Sequence, residues 1–214
     1  MEKIIITHEH PDHYGYAATL QRATSAPVYI SSPSLKSARR FWSPDYLEAL
    51  KTFYLRSGLT EEQANILPNM TNVIEGISGH PENPHFLEDG QRVNLGDESY
   101  LILHTPGHAE GLVCFYHPER KLLFSTDHLL PHITPNISYW QGGDPNPLHT
   151  YLQALNRIKG LAIEKALPSH GEPFDHVEER IGQILSHHEE RLEQLMDHAR
   201  NWSTVYQAYM CLFG

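Results

Sequence analysis

Residues 7–13 read THEHPDH, directly after the isoleucine run of EKIIIT. No other feature of the chain restricts its fold so sharply. Side chains that share a cation must converge, so the backbone beneath them must be rigid, and the rest of the chain must bring further donors to the same place. In extended backbone, residues two apart point the same way, so His8 and His10 face one cation together. The turn that must follow lets Asp12 and His13 reach a second position nearby. Neutral imidazole combined with carboxylate suits zinc, and also iron or manganese.

Further donors recur downstream in one pattern. His108 lies in TPGHAEG, after the strand-like YLILH, where Pro106 and Gly107 make a tight turn. Asp127 closes KLLFSTD, and His170 closes EKALPSH ahead of Gly171. Each therefore sits at the C-terminal end of a predicted strand, where rigid elements hold loop ligands best. The 16 histidines are a heavy load for 214 residues, and histidine is the commonest metal ligand. Cys114 and Cys211 are far apart, which leaves no disulfide framework and no paired-cysteine metal knuckle; a reducing, cytoplasmic setting is the expectation. Cys114 falls in mid-strand and reads as core, so no serine or cysteine nucleophile competes with a metal-activated water. A net charge of −10 without a basic tract argues against nucleic acid as partner. No leader-like N-terminus and no bilayer-length apolar run is present, so no membrane association is expected.

The pattern of apolar residues predicts strands over Lys3–Thr7 and Pro27–Ser31, with a helix over Tyr14–Ala23 between them. A helical insert covers about 34–67, with a helix start at Thr60 marked by Glu62 and Gln63. PNMTNVIEGISGHPENPHF reads as a loop or lid, followed by a β-rich block to Asp127 with a hairpin turn over His117–Arg120. A helix is expected over Pro147–Gly160, a strand over Ile163–Leu167, and a long helix over His176–Ala199. That helix carries Val177, Ile181, Ile184, Leu185, Leu192 and Leu195 on one broad face, and His187, His188 and His198 read as solvated surface. The final stretch STVYQAYMCLFG begins another helix.

The four segments THEHPDH, TPGHAEG, FSTDHL and LPSHGEPF, in this order and spacing, resemble the metallo-β-lactamase fold superfamily, over about residues 1–175. The resemblance implies an α/β fold, a four-layer αββα sandwich of the metallo-β-lactamase type. It also implies a binuclear site for two divalent metal ions, zinc first, with iron or manganese as alternatives. His8, His10 and His108 would hold one metal, Asp12, His13 and His170 the other, and Asp127 would bridge them. Asp12 is the expected catalytic residue, orienting the water or shuttling a proton. Thr126 and Ser169 stand where the family very often has glycine, and both are expected to narrow the site. His128 and His132 are candidates for the pocket wall.

Within the superfamily the resemblance points to the glyoxalase II and LACTB-like branch, hence to a hydrolase of a small ester or thioester. A phosphodiesterase or ribonuclease of the same fold and a non-catalytic metal-binding remnant are the alternatives. One strand before the histidine loop is fewer than the family's usual number, and residues 176–214 resemble the start of a winged-helix appendage. A homo-oligomer covering the incomplete N-terminal sheet is therefore expected.

Overall fold

The isoleucine run forms β1 (Ile4–Ile5) in the computed structural model of the chain, which describes residues 1–66, 76–199 and 204–213. β1 pairs in parallel with β2 (Val28–Ile30), and β2 in parallel with β3 (His85–Phe86), giving a three-stranded sheet in that order. Parallel neighbours need crossover connections, and helices supply them. Between β1 and β2 run α1 (Pro11–Tyr14) and α2 (Ala17–Thr24). After β2 come α3 (Ser32–Phe41), α4 (Pro44–Arg56) and α5 (Glu61–Ile66).

The second sheet orders its strands along the chain: β4 (Arg92–Leu95), β5 (Glu98–His104), β6 (Val113–His117), β7 (Leu122–Thr126) and β8 (Lys165–Pro168). β4 to β7 form an antiparallel meander, and α6 (Pro147–Lys159) carries the chain over to β8, parallel to β7. α7 (Val177–Ala199) and α8 (Val205–Phe213) follow.

Strand periodicity decides the layers. β6 is buried along its whole length, so alternate residues serve two cores. Val113 and Phe115 join Val93, Tyr100 and Ile102 between the sheets, against Ile5 and Tyr29 of the first sheet. Cys114 and Tyr116 face the other way, onto Tyr151, Leu155 and Ile158 of α6 and Ile181 and Ile184 of α7. Outside the first sheet, Val28 and Ile30 pack with Tyr14, Ala17, Leu35 and Ala38. Helix, sheet, sheet, helix: the chain is an αββα sandwich. Among the described residues no helix is long and apolar enough to cross a membrane.

Several expectations need adjusting. The helix expected from Tyr14 is broken at Gly15, because a separate single turn, α1, holds Asp12 and His13. Residues 67–75 of the expected loop or lid lie outside the described residues, and its end is not loop but β3. Thr60 caps α5 as anticipated: its hydroxyl accepts from Gln63 N at 3.2 Å while Gln63 Oε1 accepts from Thr60 N at 2.9 Å. On α7 the apolar face is fully buried only at its start; Leu192 is 42% exposed although α8 packs against the far half of this helix. His188 is half-buried against Tyr151, not solvated; the side chain of His198 lies outside the described residues.

Candidate metal centre

Donors from four loops meet at one edge of the sandwich. His10 is still extended (φ −64°, ψ 151°), so His8 and His10 share a side, with ring centroids 4.7 Å apart. Pro11 then opens α1 at a position where its missing N–H costs nothing, and the single turn swings Asp12 and His13 to the neighbouring place.

His108 arrives through Gly107, whose φ is +131°. A Cβ there would lie 2.3 Å from Tyr151 Cβ, so the turn needs glycine for space as well as conformation. Asp127 follows Thr126, which adopts a left-handed φ of +49° at the irregular end of the β7–β8 pairing. That conformation is one that glycine adopts more readily than threonine. The Thr126 hydroxyl does not crowd the ligands as expected; it turns inward, toward Cys114 and the Val113 carbonyl. His170 follows β8, and because β7 and β8 are parallel, Asp127 and His170 emerge at the same end.

The result is two groups of donors sharing Asp127. His8, His10, His108 and Asp127 form one, and Asp12, His13, Asp127 and His170 the other; within each, one ligand atom per residue lies within 4.8 Å of the rest. Asp127 Oδ2 is 3.4 Å from His13 Nε2, 3.5 Å from His108 Nε2 and from His170 Nε2, and 3.7 Å from His8 Nε2. These separations are too long for good hydrogen bonds. His8 Nε2, His13 Nε2, His108 Nε2 and Asp127 Oδ1 are buried with no hydrogen-bond partner. Each such orphan costs about 1–3 kcal/mol, and the three imidazole nitrogens, all within 3.7 Å of Asp127 Oδ2, are arranged as a cation would satisfy them. The residues fit a pair of divalent metal ions.

The outer ring nitrogens agree with that. His108 Nδ1 donates to the Asn136 carbonyl at 2.7 Å, which leaves the Nε2 lone pair facing the centre. His8 Nδ1 lies 3.1 Å from Thr7 Oγ1. Burial, then the neighbouring His10 and His13, pushes His8 far below the ordinary imidazole range. Burial and then His108 bring His10 down to about 4, so both rings are neutral donors. Burial alone would raise Asp127, but His108, His13 and His8 outweigh it and hold the carboxyl well below its usual range. Burial also opposes a proton on His13, yet Asp127 and Asp12 prevail and raise it.

Neither His128 nor His132 belongs to the two groups. His128 is fully buried edge-on to Tyr151, with both ring nitrogens unpartnered, and His132 is exposed. The sequence reading missed Glu9, a buried carboxylate between two ligands, and Tyr151, which sets the limit on Gly107.

The sequence profile of the Metallo-beta-lactamase superfamily matches residues 2–170. The acyl-coenzyme A thioesterase MBLAC2 of Homo sapiens is 32% identical over 106 residues, which cover 47% of this chain and 35% of that protein. An atrochrysone carboxyl ACP thioesterase, dmxR1 of Cryptosporiopsis sp., is 28% identical over 116 residues, 53% of this chain and 34% of its own length. The matches thus span about a third of these curated relatives. A solved metallo-beta-lactamase family protein of Thermus thermophilus superposes with a TM-score of 0.90 at 30% identity, over 100% of this chain and 69% of its own. TTHA1623, solved in a di-iron-bound form, gives a TM-score of 0.53 at 28% identity over 86% of this chain and 74% of its own.

Proposed function

This chain belongs to the Metallo-beta-lactamase superfamily, and we propose that it is a two-metal hydrolase of thioesters. The observation that carries the reading is the convergence of two donor groups on one buried, ionised Asp127 with orphaned imidazole nitrogens around it. The thioester rests on the two relatives named as thioesterases. Zinc is the favoured metal from the imidazole and carboxylate donors; the di-iron form of TTHA1623 supports iron as the alternative.

His8, His10 and His108 would hold one ion, Asp12, His13 and His170 the other, with Asp127 between them. Bound there, two such ions supply a water acidified toward neutral pH and an electrophile for the carbonyl oxygen. The protein's own part is positional and protonic. His8 and His10 stay neutral, and the Asn136 carbonyl keeps His108 in one tautomer. The Asp12 carboxylate is half-exposed, with Oδ2 3.2 Å from His13 Nε2 and 3.1 Å from His170 Nε2. It spans the site and the solvent, and it is the group placed to accept a proton and pass it outward.

The test is release of free thiol from a short-chain acyl-coenzyme A by the purified, metal-loaded chain. Thiol release that His10→Ala abolishes, in a variant with an unchanged circular dichroism spectrum, supports the reading. A chain that holds two metals yet cleaves only RNA or a phosphodiester moves the assignment to the second activity. One that retains no metal above trace level is the non-catalytic remnant.

A further inference from the structure

Glu9 stands between His8 and His10 and is 1% exposed. A carboxylate survives such burial only with partners. Its Oε2 accepts from Ser34 Oγ at 2.8 Å, and its backbone carbonyl from Trp42 Nε1 at 2.9 Å. Glu110, two residues after His108, repeats the arrangement one turn further along α3. Its Oε2 accepts from Ser37 Oγ at 2.8 Å and its Oε1 from Arg40 Nη2 at 2.5 Å.

Ser31, Ser34, Ser37 and Arg40 recur every third residue and so line one face of α3. The three serines are 2%, 0% and 0% exposed. Ser31 Oγ also donates to the Gly111 carbonyl at 2.6 Å. Packing against this face is tight: a Cβ on Gly111 would lie 2.1 Å from Ser34 N, and one on Gly143 would lie 2.0 Å from Glu110 Oε1. Alanines would cover the helix without burying three hydroxyls and the Glu9 carboxyl, so the polar row answers another need. Both carboxylates belong to the loops that carry His8, His10 and His108. The ion pairs of Asp12, His13 and His170 run instead to one another and to Asp127.

We propose that the serine face of α3, through Glu9 and Glu110, positions the two histidine loops against each other and so governs the metal affinity of the His8–His10–His108 position more than that of the other. Glu9, Glu110, Ser34 and Ser37 are positioning residues, not ligands. The inference rests on the two-metal reading above.

Metal-free chain and a Ser34→Ala/Ser37→Ala variant are titrated with cobalt(II), following stoichiometry and visible absorption. The wild type is expected to take up two equivalents. In the variant one equivalent weakens by about 10–100-fold with a changed spectrum, while the other changes less. Glu9→Gln, which keeps an acceptor for the Ser34 hydroxyl, should retain near wild-type affinity. If the double variant does not fold, Arg40→Gln, at the more accessible end of the row, carries the same comparison. Folded variants in which both equivalents weaken alike, or neither does, overturn the positioning role and leave the two-metal reading intact. A wild-type chain that takes up no cobalt overturns both.

Discussion

Gly107 and Thr126 show how much of the centre depends on single backbone conformations. Each precedes a candidate metal donor, and each holds a positive φ. Gly107→Ala forces a Cβ against Tyr151, and we expect a loss of at least about 3 kcal/mol in urea denaturation, with weakened metal retention because His108 is displaced. His128 makes a different demand. Burial, and then the neighbouring His108, lowers its pKa from 6.5 to about 3. The unfolded chain therefore takes up a proton that the folded chain refuses. The stability due to the neutral ring is complete above pH 6.5 and is lost as pH falls from there toward 3. Between about pH 6.5 and 5, His128→Phe should flatten the stability profile of the metal-free chain by up to about 1.4 kcal/mol per pH unit; equal slopes would contradict a buried neutral ring. The candidate donors were legible in the sequence, since metal binding restricts residue type. Glu9 and Glu110 were not, because their partners lie 25 and 73 positions away and a lone glutamate reads as surface.

Elements place the ligands by where they end. β7 and β8 run parallel, so their C-terminal ends deliver Asp127 and His170 together. Strand positions were readable as short apolar runs bounded by turn residues, even where the strand is buried on both faces, as in β6. The one-turn α1 was not, since four residues carry no periodicity. α6 holds Tyr151 against Gly107, and its first turn is closed by Asn146 Oδ1, which accepts from His149 N at 3.1 Å. Asn146→Ala should cost about 1 kcal/mol, seen as a lower thermal midpoint; an unchanged midpoint would show that the cap contributes nothing. The far half of α7 marks the limit of pattern reading. Its apolar spacing continues to Leu195, but Leu192 and Met196 remain exposed. Periodicity states which face is apolar, not how fully its neighbours cover it.

For the whole molecule, the centre links segments from His8 to His170 across both sheets. Metal bound only to the folded chain stabilises it by about 4 kcal/mol when free metal exceeds Kd a thousandfold. Dialysis against a chelator should lower the denaturation midpoint accordingly, and zinc should restore it; a midpoint indifferent to chelator would argue that these donors hold no structural cation.

The sequence by itself determined the donor types, their placement at strand ends and the family pattern they form, because those are local properties of residue and spacing. Only the tertiary structure decided that Thr126 turns away from the site and that α3 lays a polar face against two histidine loops. Those depend on which distant segments are packed together, and burial and convergence are properties of the packed chain alone.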